Sequence, residues 1–211
     1  MDSRLEKISR ELPTAFTRMD LEAYFKSYKA PGKYVMSLEK KGYLIRLKQN
    51  TYCFSKGFDP LRVANSLYSP SYVSFETALS YYNLIPERVI DVTSVSIKKR
   101  KTFATKRAHF EFYQQDSELY SLGMSADFQR TPSLLIATKE KAILDTLARA
   151  NLKSATTSPD EIFDYVVEGL RIDEEHLKGL KHHSVRKMAA LYRNRAPTVL
   201  CEFLFHKRVL K

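Results

Sequence analysis

The spacing of apolar residues changes period at Gly42, and that change restricts the N-terminal part of the chain to one order of elements. Upstream, Leu5, Ile8 and Leu12 recur at helical spacing and Pro13 closes the run, which predicts a first helix with one apolar face. Thr17 followed by Asp20 reads as an N-cap with an acid in the first turn, opening a second helix that carries Leu21, Tyr24 and Phe25. Pro31 suits the first turn of a third helix and Gly42 its C-terminal cap, with Val35 and Leu38 facing inward. Downstream of Gly42 the period is that of strands. Tyr43 to Leu47 and Thr51 to Phe54 are two β-prone runs around the polar turn Lys48-Gln49-Asn50.

Three helices followed by a hairpin is the order of a winged helix-turn-helix. The expected fold class is therefore α+β: an N-terminal winged helix-turn-helix over residues 1–57, then a larger α+β domain over residues 58–211 with a helical C-terminal tail. In the second domain, Asp59-Pro60 starts a helix with Leu61, Val63, Ala64 and Leu67. The stretch from Tyr72 to Pro86 reads as a buried helix with Ser74 as its cap and Asn83 as a left-handed stop. Val89 to Ile97 and His109 to Gln114 read as strands flanking a hairpin loop, and Leu134 to Ala137 as a third strand. Thr138 caps a helix reaching about Ala150, and Ser158-Pro159-Asp160-Glu161 combines a cap, a first-turn proline and a capping-box acid. Asp173 and Ser184 are expected to open two short helices, and Val199, Leu200, Phe203 and Leu204 form an apolar face near the end.

Charge selects the partner. The formal net charge is +11, which makes a polyanion the default, because lysine and arginine neutralise phosphates and release condensed counterions. Between Lys29 and Lys56 lie seven basic residues and one acid, Glu39. On the third helix Lys33, Tyr34, Ser37 and Lys40 point away from the apolar seam, although Tyr34 suits a core position equally well. With Lys29 before the helix and Arg46, Lys48, Gln49 and Asn50 on the wing, they form a candidate surface for double-stranded DNA. A second candidate phosphate patch is Lys98, Lys99, Arg100, Lys101, Lys106 and Arg107, a segment without an acid. A solvated basic face, or a protein-interaction module, fits the same residues.

Catalytic signatures are missing. The chain has no phosphate-binding GxxxxGK[ST] loop, no GxGxxG, HExxH, CxxC or GxSxG, and adjacent His182 and His183 would diverge on a helix. Glu76, Asp91, Glu111 and Lys98 match no nuclease spacing, so no enzymatic activity, cofactor or metal is expected. Cys53 and Cys201 read as separate buried thiols. No apolar run reaches a membrane-spanning length of about 18 residues, and Met1 to Leu12 hold no signal-peptide core, so a cytoplasmic location is expected.

The string Gly42-Tyr43-Leu44-Ile45-Arg46-Leu47 leading to Thr51-Tyr52, the block Tyr72 to Leu79, the block Tyr82 to Glu87 and the strand end Val92 to Val95 resemble the AbiEi family of type IV antitoxins. Family members often carry glycine at the place of Asn83, and asparagine also adopts the left-handed conformation. The resemblance implies a regulator that represses its own operon by binding inverted repeats in the promoter. It also implies a C-terminal domain that counteracts a nucleotidyltransferase toxin without requiring a stable complex with it.

Overall fold

The computed structural model describes residues 3–87, 89–129, 133–150, 152 and 157–206. The first module contains α1 (Ser3–Glu11), β1 (Phe16–Thr17), α2 (Arg18–Glu22) running into a 3-10 turn (Ala23–Phe25), α3 (Pro31–Lys40), β2 (Leu44–Lys48) and β3 (Thr51–Phe54). Helix α2 begins with a capping box: the Thr17 hydroxyl accepts from the Asp20 N–H at 3.2 Å, and the Asp20 carboxylate accepts from the Thr17 N–H at 2.7 Å. That backbone hydrogen bond holds the Asp20 carboxyl below its usual range. The two-residue strand β1, too short to show a period, lies against β3 with Phe16 opposite Tyr52, giving an antiparallel sheet ordered β1-β3-β2. Leu5, Ile8, Leu21, Phe25, Val35 and Leu38 close over this sheet as one core.

Helix α3 stops where the chain turns left-handed. Gly42 has φ +80°, and a Cβ placed there would meet nothing within 4 Å. Gly42→Ala therefore carries only the backbone penalty, and an equilibrium denaturation curve should read a loss of about 1 kcal/mol.

The second module runs α4 (Pro60–Leu67), β4 (Ser71–Val73), α5 (Phe75–Tyr81), β5 (Val92–Ser96), β6 (Lys101–Ala104), β7 (His109–Gln114), α6 (Ser117–Tyr120), β8 (Met124–Asp127), β9 (Leu134–Ala137) and α7 (Lys139–Arg149). Its six strands are ordered β6-β7-β5-β4-β9-β8. The centre is the antiparallel pair β4–β5; each central strand has a parallel outer neighbour, β9 or β7, and each neighbour has an antiparallel edge strand, β8 or β6. The expected hairpin between Val89–Ile97 and His109–Gln114 is thus replaced by a parallel pair, and the basic segment between them contributes an edge strand. Ser74 stands at the N-cap of α5 as expected, and the residues before it, Tyr72 and Val73, form strand β4 and pair with Val95 and Ser94.

Alternation along β7 fixes the layers. Phe112 faces Tyr68 at the end of α4, with ring centroids 5.2 Å apart, whereas Tyr113 faces Phe75 of α5 at 5.0 Å. Helix α4 and the first module lie on one face of the sheet, and α5 and α7 on the other. The tail comprises α8 (Pro159–Asp164) continuing through a π-helical turn (Tyr165–Gly169), α9 (Glu174–Lys178), α10 (His182–Ala189) and α11 (Ala196–His206). Ser158 and Asp173 cap as expected in position, but α10 starts at His182 rather than after Ser184. Cys53 and Cys201 are buried free thiols, and burial pushes the Cys53 thiol up to about 12. No helix among the described residues is long and apolar enough to cross a membrane.

Candidate nucleic-acid interface

The hairpin β2–β3 joins the modules. Leu44, Tyr52 and Phe54 belong to the first core, whereas Ile45, Leu47 and Cys53 belong to the core of the second module. One face of the hairpin is therefore committed to the larger domain, and Lys48 near its tip goes with it, while Arg46 stays with the first module. Lys48 donates to the Leu67 carbonyl at the end of α4 at 2.9 Å and sits 5.7 Å from the Phe103 ring. Arg46 donates to Glu39 at 2.8 Å and stacks on Tyr52. A wing free to swing over a backbone is not what these contacts describe. At the turn, Gln49 and Asn50 remain exposed, with Asn50 at φ +55° and its carbonyl accepting from the Arg18 N–H.

On α3, Lys33 and Lys40 are exposed one face apart from buried Val35 and Leu38, and Lys29 is exposed in the turn before the helix. Tyr34 departs from the outward placement: its ring packs 4.7 Å from Phe25 and 4.9 Å from Tyr28, so it closes the core beneath the α2–α3 turn. Met36, 54 % exposed, takes the outward position between Lys33 and Lys40. Ser37 is half-buried and donates its hydroxyl proton to the Tyr34 carbonyl at 2.8 Å. The start of α3 lies close against α2, where a Cβ on Gly32 would collide with the Arg18 guanidinium.

The second basic segment divides. Lys98 donates to the Ser69 carbonyl and lies over Tyr68, which brings it to the same end of α4 as Lys48. Lys101 pairs across from Phe112 and so shares that face of the sheet. Arg107 reaches the Ser55 carbonyl at 3.4 Å, beside Lys56 of the first module, and Lys99 and Lys106 are exposed. Arg100 leaves the group: it stacks on Tyr113 and approaches Glu111 at 3.8 Å. The sequence places two basic clusters on two domains; the fold brings Lys48 and Lys98 together at the end of α4 and Arg107 to Ser55 beside Lys56, whereas Lys29, Lys33 and Lys40 stay with α3.

The carboxylates weighed for metal chemistry are dispersed. Glu76 pairs with Arg149, Asp91 lies 3.7 Å from His109 and Glu111 accepts from Tyr113, and no group of three potential ligands occurs among the described residues. His182 stacks on Phe205.

A buried polar cluster lies on the opposite face of the sheet, where the sequence points to no site. Lys141 Nζ donates to Gln115 Oε1 at 2.9 Å, Asp145 Oδ1 at 3.0 Å and the Tyr192 hydroxyl at 2.9 Å. Asp145 also accepts from Ser74 at 2.6 Å, Gln115 Nε2 at 2.8 Å and Tyr192 at 2.6 Å. Desolvation lowers the Lys141 ammonium from its usual range, opposed by the Asp145 carboxylate, and burial pushes the phenols of Tyr72 and Tyr192 up. All three ammonium donors are used, so the cluster is a brace between β4, α7 and the segments after β7 and α10. A cavity of about 460 Å³ adjoins it, walled by Phe75, Tyr113 and Arg149. The one local signal is the i, i+4 spacing of Lys141 and Asp145 around the apolar run Ala142-Ile143-Leu144.

No family model matches the chain, and no curated protein does. The chain is similar in structure to the RV2827C protein from Mycobacterium tuberculosis, with a TM-score of 0.51 and 15 % identity over 95 % of this chain and 80 % of that one. The likeness spans both modules and concerns the fold alone.

Proposed function

We propose that the N-terminal module is a winged helix-turn-helix and that the protein is a cytoplasmic, DNA-binding transcriptional autorepressor. The observation that carries this reading is the element order α1-β1-α2-α3-β2-β3 with the sheet ordered β1-β3-β2, in which α3 presents Lys33, Met36 and Lys40 outward. Such a helix suits the major groove, while Gln49 and Asn50 at the hairpin tip and the basic junction around Lys98 and Arg107 suit flanking phosphates. Non-enzymatic function fits the dispersed carboxylates. The antitoxin half of the proposal, opposition to a nucleotidyltransferase toxin, rests on the resemblance of the central block, Tyr72 to Glu87, to AbiEi antitoxins.

Labelled duplex carrying the inverted repeat upstream of the gene should bind at least about 1,000-fold tighter than random duplex of equal length. Equal competition by random duplex would leave only a non-specific nucleic-acid or protein-interaction module, a reading that the exposed Met36 on α3 would then favour. For the second half, co-expression with a growth-arresting nucleotidyltransferase toxin, were one encoded beside the gene, should restore growth, and growth arrest despite soluble protein would rule out antitoxicity.

A further inference from the structure

A groove of about 840 Å³ separates the first module from α4. One wall is the end of α1 and the connection after it, with Arg10, Glu11 and Thr14; the other is the start of α4, with its cap Asp59 and with Arg62. Two polar atoms on these walls, Arg62 Nε and Thr14 Oγ1, are buried without a hydrogen-bond partner among the described residues. The Arg62 guanidinium as a whole has no hydrogen bond and no ion pair with the described residues. Other arginines in the fold contrast with it: Arg18, Arg46 and Arg149 each pair with a glutamate. A half-buried cation left unpaired is costly, and a guanidinium offers a planar fork of donors matched to an oxyanion. The groove also has room for more than a lone ion.

We infer that this groove between the modules binds a small metabolite through an oxyanion, phosphate or carboxylate, held by the Arg62 guanidinium with the Thr14 hydroxyl donating from the facing module. Because the two anchors belong to different modules, the ligand fixes the position of the first module against α4 and acts as an effector. The inference stands whether or not the first module binds DNA.

Calorimetry and thermal unfolding of the full chain test it, with inorganic phosphate and succinate as probes and chloride at matched ionic strength as the baseline. A millimolar site raises the melting midpoint by about 3 °C at about 10 mM of the preferred anion, and the preferred probe tells phosphate from carboxylate. Arg62→Gln should weaken that binding by about tenfold or more and Thr14→Val by about threefold, while Lys187→Gln, which removes an equal charge from exposed α10, leaves it unchanged. Arg62→Met should raise the midpoint in chloride alone, since it removes the unpaired cation; this readout does not depend on the ligand. Equal stabilisation of wild type and Arg62→Gln, an equal loss in Lys187→Gln, or a midpoint that chloride raises as much would overturn the inference. So would duplex DNA that displaces phosphate and depends on Arg62 to the same degree, which would assign the groove to the nucleic-acid surface.

Discussion

Asp145→Ala is expected to cost about 3–5 kcal/mol of folding stability, the largest effect of any single substitution proposed for this fold. Lys141 and Asp145 have side chains with 0 % exposure, and the Asp145 carboxylate accepts from four side chains on four segments. Truncating it leaves an ammonium in a dry interior with Gln115 and Tyr192 as its remaining acceptors, and it also orphans the Ser74 hydroxyl beside the left-handed Phe75. Removing both charges is a different matter. Lys141→Met with Asp145→Leu conserves much of the volume and avoids burying ions, so the double variant should recover most of the loss. Guanidinium unfolding of the two single variants and the double variant gives the coupling energy directly. A cost below about 1 kcal/mol for Asp145→Ala would mean that the pair is not sealed from water.

Legibility of the fold in the sequence tracks how local the physics is. Caps and stops are local: Thr17, Pro31, Gly42, Asp59, Thr138 and Ser158 all mark helix ends where residue chemistry alone places them. Short strands are legible only where they are a run of apolar or β-prone residues of their own, as in β3 and β9; β1, β4, β6 and β8 lack one and are illegible or merge into neighbouring elements. The stretch at Tyr72 shows why: Tyr72 and Val73 continue the helical spacing of α5, but the chain breaks at Phe75, where φ is +57° for a bulky residue that local preference would never place there. Long-range contacts hold that conformation: the pairing of β4 with β5, the hydrogen bonds of Ser74 to Thr93 and Asp145, and the packing of Phe75 against Tyr113 and Arg149. The parallel pairing of β5 with β7 is likewise a matter of long-range topology.

The candidate interface is legible in the sequence as a set of charges but not as a surface. Lys33 and Lys40 are outward because Val35 and Leu38 set the phase of α3, and phase can be read from sequence. Tyr34 lies on the border of that face, and the neighbours that decide its fate, Phe25 and Tyr28, come from the preceding turn. Arg46 and Lys48 look equivalent to Lys33 on paper. Arg46 is engaged by Glu39 of α3 within the first module, whereas the engagement of Lys48 by the end of α4 depends on the second module packing against the hairpin.

That difference separates the lysines of α3 from Lys48 in their expected effect on DNA binding. Replacing both Lys33 and Lys40 with alanine should weaken binding to the promoter duplex about 30-fold near 0.15 M salt, because each phosphate contact releases close to one counterion. The same two losses should flatten the slope of log affinity against log salt by about 2. Lys48→Ala should leave that slope nearly unchanged and lower stability instead, since the Leu67 carbonyl holds its ammonium at the module junction. Fluorescence anisotropy at several salt concentrations separates the two variants. An unchanged slope for the double variant would remove α3 from the interface, whereas a slope that falls only with Lys98 and Arg107 would move the interface to the junction. The proposed toxin opposition supplies an independent axis: if the two proposed tasks reside in different modules, the double variant loses promoter binding yet still restores growth in the presence of a nucleotidyltransferase toxin. Joint loss of both activities in a protein of unchanged melting midpoint would instead mean that growth rescue proceeds through the DNA.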